Sequence, residues 1–145
     1  MKPVRVLIIG AGSRGTAYSQ YIQKHPEDAV VVGVADPDEF KRNRIAEMFG
    51  IPDEHVWDDW TGPAAGEKLA DAAIIATPDS MHVEPAIALA GQGYHLLLEK
   101  PVATNEADCR RVIQAVQDRG DIHFAICHVL RYTKFTQTLK SILDS

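Results

Sequence analysis

Gly10-Ala11-Gly12-Ser13-Arg14-Gly15 carries the spacing G-x-G-x-x-G and stands between an apolar run and an amphipathic segment. Between a strand and a helix, such glycines allow a tight turn, close approach of backbone to a pyrophosphate, and close helix–strand packing. The helix start then offers unpaired N–H groups and a partial positive charge to an anion, with Ser13 and Arg14 in the first turn. Asp36 ends a second apolar run, 21 residues after Gly15. A carboxylate there accepts both ribose hydroxyls of an adenosine and repels a 2′-phosphate, which favours NAD over NADP. Arg14, Lys41 and Arg42 lie nearby in sequence and leave NADP open, since a cation can accept that phosphate. Without the glycines, Asp36 before Pro37 would be an ordinary turn residue.

A second constellation follows later apolar runs. Ala76-Thr77-Pro78-Asp79 precedes His82, and Glu99-Lys100-Pro101 closes another run. A lysine at the edge of a sheet can hydrogen-bond an alkoxide or carbonyl oxygen and exchange a proton with it during hydride transfer. Partial burial would make it easier to tune. Taken singly, Glu99-Lys100 reads as a solvated surface pair and His82 as a polar residue at a helix start.

The elements that must position these groups are legible as alternating patterns. Strands are expected over Val4–Ile9, Ala29–Ala35, Ala72–Ala76, Tyr94–Leu98 and Ile122–Cys127, with one short strand around Val56–Trp57. Helices are expected over Ser13–Lys24, Asp38–Phe49, Ser80–Ala90, Thr104–Arg119 and Thr133–Leu143. Thr104 reads as the cap of the fourth helix and Gly120 as its stop. Val83, Ala86, Ile87 and Ala90 recur at helical spacing, as do Cys109, Val112, Ile113 and Val116, a stripe that places Cys109 in the core. Strands apolar on both faces, separated by helices, indicate a doubly wound α/β fold with a parallel sheet, and in such a sheet both constellations lie at the carboxyl edge. No domain linker or repeat interrupts the pattern.

Composition narrows the field. The 145 residues suit one domain, and 46% hydrophobic residues suffice for a core. A net charge of −5 argues against nucleic acid as the main partner. Cys109 and Cys127 form no metal-binding or disulfide pattern, which fits a reducing cytoplasm, and no stretch approaches the length of a membrane span. The six histidines show no ligand spacing, so no metal is expected. Trp57 and Trp60 flank Asp58-Asp59 and read as a packed surface loop. No G-x-S-x-G elbow marks a hydrolase.

GAGSRG at Gly10–Gly15, ADPD at Ala35–Asp38, ATPDSMH at Ala76–His82 and GYHLLLEKP at Gly93–Pro101 together resemble the Gfo/Idh/MocA family of glucose–fructose oxidoreductase, inositol dehydrogenase and rhizopine-catabolism proteins. The resemblance runs from Val4 to the last residue. It implies a Rossmann domain that binds NAD or NADP, and hydride transfer at a hydroxyl carbon of a sugar or polyol with Lys100 acting in that step. It implies that Thr77, Pro78, His82 and Glu99 line the cofactor cleft, that the Lys100–Pro101 bond is cis, and that Arg131 lies near cofactor and substrate. Residues 1–128 are then the dinucleotide-binding domain, and 129–145 a crossover segment and helix leading to a missing substrate domain. On this reading the chain is truncated and inactive alone, and the full-length protein is a homo-oligomer. A non-catalytic NAD(P) sensor is the alternative, and a methyltransferase is a third reading that the Glu-Lys-Pro segment and the turn spacing disfavour.

Overall fold

A computed structural model describes residues 2–145. Its six strands are β1 (Val4–Ile9), β2 (Ala29–Ala35), β3 (Val56–Trp57), β4 (Ala72–Ile75), β5 (His95–Glu99) and β6 (Phe124–Cys127). The helices are α1 (Ser13–Lys24), α2 (Glu39–Phe49), α3 (Thr61–Ala65), α4 (Val83–Gly91), α5 (Glu106–Arg119) and α6 (Lys134–Leu143). All the strands are parallel, in the order β3-β2-β1-β4-β5-β6. The chain runs outward from β1 through β2 to β3, then returns to lay β4 on the other side of β1. The sheet therefore has its topological switch point between β1 and β4, where loops from the two halves diverge and leave a crevice.

The two faces of β1 show why its apolar run is continuous. Val6 and Ile8 pack on one face with Ile22 of α1 and Ile45 of α2. Leu7 and Ile9 pack on the other with Leu89 of α4, Tyr94 and Val112 of α5. A strand covered on both sides buries every side chain, so period-two alternation disappears from its sequence.

Helix boundaries differ from the sequence expectation in places that have local causes. The expected start at Ser80 is replaced by a 3-10 turn over Asp79–Met81, with α4 beginning at Val83. There the Met81 N–H donates to the Pro78 carbonyl at 2.7 Å, and the Thr77 hydroxyl donates to the Met81 carbonyl at 3.1 Å. Asn105, not Thr104, caps α5: its side-chain oxygen accepts from the Asp108 N–H at 2.9 Å, and its amide donates to the Asp108 carboxylate at 2.7 Å. The α5 stripe is narrower than its spacing suggests. Val112 is fully buried, Cys109 only half-buried, and Ile113 is 45% exposed. β6 begins at Phe124 because pairing with β5 starts at Leu96↔Phe124.

Candidate functional site

The glycine turn joins β1 to α1 at the switch point. Gly10 sits at φ +93°, and a Cβ there would stand 2.6 Å from the backbone oxygen of Ala76. A side chain on Gly15 would overlap the Gly10 carbonyl. Both positions thus serve the packing of turn, helix and β4. Gly12 differs: its φ is −66°, and a Cβ would meet nothing within 4 Å. It borders a cavity of about 480 Å³. Among the described residues no side chain caps α1 and no acid lies in its first turn. The open backbone, the uncapped helix start and Arg14 make a donor set suited to a diphosphate.

Asp36 faces this turn from the end of β2. Its carboxylate accepts from the Ala11 N–H at 2.6 Å and from the Asp38 N–H at 2.8 Å. It therefore ties the glycine turn to the loop after β2, while each oxygen keeps lone-pair capacity toward the cavity. The cations near it are engaged. Lys41 pairs with Asp38 at 2.9 Å, and that pairing holds the Asp38 carboxyl below its usual range. Arg42 donates to the carbonyls of Asp36 and Pro37 at 3.3 and 3.2 Å. The far wall is formed by Thr77, Pro78 and Met81 from the loop after β4, and by Trp60.

A second cavity of about 230 Å³ adjoins the first, with Arg14 and Thr77 on the walls of both. Glu99, Lys100, His82 and Val129 line it. Lys100 is exposed, and the bond to Pro101 is cis. Behind Lys100, the Glu99 carboxylate accepts from Arg14 Nε at 2.7 Å and from the Tyr18 hydroxyl at 2.7 Å. Its other oxygen accepts from the Lys100 N–H at 3.2 Å. Burial alone would raise the Glu99 carboxyl, but these hydrogen bonds and the Arg14 charge outweigh it and hold it below the ordinary carboxylate range. His82 is fully buried, with Nδ1 2.6 Å from the Pro101 carbonyl and Nε2 2.9 Å from the Thr77 carbonyl. Its ring clamps the loop after β4 to the loop after β5.

The structure thus gathers Gly10, Gly12, Ser13, Arg14, Asp36, Thr77 and Pro78 around the first cavity, and Arg14, Thr77, His82, Glu99 and Lys100 around the second. Arg131 lies on the 3-10 turn Val129–Tyr132, is exposed, and lines neither cavity; Val129 is the residue of that turn that does. Sequence reading missed Trp60, Met81 and Tyr18. Trp60 was expected in a packed surface loop, but the Asp36 N–H donates to the Trp57 carbonyl at 3.1 Å, which brings the loop after β3 beside the cavity. The structure also places His25, Glu27 and Asp28 with ligand-type atoms within 4.8 Å of one another, at the opposite edge of the sheet. Among the described residues no helix is long and apolar enough to cross a membrane.

Comparison with known proteins agrees with this geometry. A family model described as an oxidoreductase family with an NAD-binding Rossmann fold, GFO_IDH_MocA, matches residues 4–127. A 2,7-anhydro-N-acetylneuraminate hydratase of Mediterraneibacter gnavus is 32% identical over 144 residues, covering 99% of this chain and 36% of that protein. An inositol 2-dehydrogenase of Saccharopolyspora erythraea is 29% identical over 142 residues, covering 98% of this chain and 42% of that protein. The WlbA dehydrogenase of Bordetella pertussis, solved with NADH and UDP-GlcNAcA, superposes with a TM-score of 0.86 at 24% identity, covering 98% of this chain and 42% of that one. The chain therefore spans about two fifths of the length of these relatives.

Proposed function

The chain belongs to the Gfo/Idh/MocA oxidoreductase family with its NAD-binding Rossmann fold, and from that premise we propose that it is the cofactor half of an enzyme moving a hydride between NAD and a hydroxyl carbon of a sugar or polyol. The observation that carries the reading is the convergence at one sheet edge of an open glycine turn, the Asp36 carboxylate and Lys100, on two adjoining cavities that share Arg14. NAD supplies the hydride acceptor or donor when bound. The backbone at Gly12 and the start of α1 bind and orient its diphosphate. Asp36 accepts from the adenosine ribose while holding the turn. The preference for NAD over NADP is supported by Asp36 and by the engagement of its neighbours, Lys41 with Asp38 and Arg42 with main-chain carbonyls. Thr77, Pro78, Met81 and Trp60 wall the first cavity opposite the glycine turn.

Lys100 is the catalytic residue of this reading. As the neutral amine it accepts the proton of the substrate hydroxyl as the adjacent C–H hydrogen departs as hydride, and as the ammonium it returns that proton in the reverse direction. His82 fixes the loop after β4 against the Lys100–Pro101 segment. Residues 129–145 form the passage to a further domain, a reading supported by the length of the relatives and by Phe135, Ile142 and Leu143 of α6, which are 63–78% exposed. That domain would supply the rest of the substrate pocket and the contacts of a homo-oligomer.

The test is Lys100→Met in the full-length protein, assayed with a panel of sugars and polyols. Turnover falls by at least about a hundredfold, the usual range for a lost acid–base group, while NADH affinity stays within about twofold of the parent. Turnover that survives the substitution would overturn the role given to Lys100. A protein that binds NADH but oxidises no member of the panel, with or without the lysine, would favour a dinucleotide sensor instead.

A further inference from the structure

The residues behind Lys100 form a closed hydrogen-bonded cluster drawn from three elements. Arg14 and Tyr18 are one turn apart on α1, and Glu99 and Cys127 are paired neighbours at the ends of β5 and β6. The Tyr18 hydroxyl stands at its centre. It donates to Glu99 at 2.7 Å, accepts from Arg14 Nη2 at 3.1 Å, and contacts the Cys127 thiol. A hydroxyl has one proton and two lone pairs. With the proton given to Glu99 and one lone pair to Arg14, the remaining lone pair accepts from the Cys127 S–H. Every site on the oxygen is used, and the direction of each bond is fixed.

We propose that Tyr18 is a positioning residue for the second cavity: its hydroxyl holds the Glu99 carboxylate between the glycine turn and the ends of β5 and β6, and so fixes the backbone from which Lys100 projects. The two donors on Glu99 Oε1 are unequal. The Arg14 side chain is 45% exposed and stands on the wall of both cavities. Any anion in the cleft competes with Glu99 for it. Tyr18 is half-buried, donates to the same carboxylate oxygen and lines neither cavity, so an anion in the cleft does not reach it. Burial first, then its bonds to Cys127 and Glu99, push the phenol well above its usual range, so it stays a donor at all working pH values. Tyr18 thus keeps Glu99 in place when a diphosphate draws on Arg14.

The proposal rests on the placing of hydride transfer at Lys100, and its test separates the two. Tyr18→Phe removes only the hydroxyl. NADH affinity of the chain falls several-fold, because the Glu99–Lys100 wall of the second cavity is no longer held in place. ADP-ribose, which can use the glycine turn and Asp36 but lacks the nicotinamide, changes by less than about twofold. Adding Glu99→Gln to Tyr18→Phe costs less than the two single losses combined. A readout without nucleotide is the alkylation rate of Cys127 by iodoacetamide, followed by peptide mass spectrometry to exclude Cys109. It rises several-fold in Tyr18→Phe, because the thiol loses the hydroxyl it contacts. Equal losses for NADH and ADP-ribose, or unchanged alkylation, would overturn the role of Tyr18. If the parent chain binds neither nucleotide, the cofactor reading fails, and alkylation alone still judges the cluster.

Discussion

Two alanine substitutions in one motif should have opposite consequences. Gly12 already has a φ that any residue adopts, and its Cβ would point into open space. Gly12→Ala therefore leaves the fold intact and raises its stability by about 0.4–1 kcal/mol, because the unfolded chain loses conformational freedom. The same methyl group stands on the wall of the first cavity, where the backbone must come close to a diphosphate. Dinucleotide affinity should drop by about tenfold or more, equivalent to 1.4 kcal/mol or more. Gly10→Ala reverses the pattern. Its φ of +93° costs about 1–2 kcal/mol in any L-residue. The new Cβ, 2.6 Å from a backbone oxygen, adds about 1–3 kcal/mol of overpacking that no side-chain rotation relieves. A loss of about 2–5 kcal/mol is a large share of the stability of a domain this size. Urea unfolding followed by tryptophan fluorescence reads the stability, and calorimetric titration with NADH reads the binding. Gly12→Ala binding NADH like the parent would refute the placing of the diphosphate. Gly10→Ala unfolding at the parental urea concentration would refute the packing argument.

The remaining expectations concern charge and aromatic contact. Glu99 is held below the ordinary carboxylate range in the folded state, so its contribution to stability is complete above its unfolded value and is lost as pH falls through the folded one. Glu99→Gln should be less stable than the parent at pH 7, with the two stabilities converging below about pH 4, where an unfolded glutamate is protonated; parallel acid limbs in pH-dependent urea unfolding would contradict the assignment. NADH should quench the fluorescence of Trp60, which walls the first cavity, so quenching should vanish in Trp60→Phe and persist in Trp57→Phe. Quenching that follows Trp57 instead would move the ligand out of that cavity.

Much of the fold is legible because its signals are local. Val4–Ile9, Ser13–Lys24 and Ala29–Ala35 emerge with the bounds that their apolar runs suggest. The glycine turn is legible because Gly10 and Gly15 meet backbone requirements that a side chain would break. The cap of α5 moves by one residue because Thr104 and Asn105 both have capping side chains, and it is Asn105 that sits on the Asp108 N–H. The Tyr18 cluster is not legible at all. Tyr18 meets Glu99 and Cys127 across 81 and 109 residues of chain, and no spacing within α1 marks the contact. His82 shows the same limit. Taken singly it reads as a polar residue at a helix start, but burial between two carbonyls makes it a clamp. Trp60 depends on the short strand β3, whose pairing with β2 carries the following loop to the cavity.

The central claim is a cleft built for a nicotinamide dinucleotide of the NAD type, and calorimetric titration of the purified chain with NADH, NADPH and S-adenosylmethionine tests it most directly. The account predicts saturable binding of NADH, weaker binding of NADPH, and none of S-adenosylmethionine. Binding of S-adenosylmethionine alone would contradict the cofactor assignment, and NADPH binding far tighter than NADH would contradict the role of Asp36.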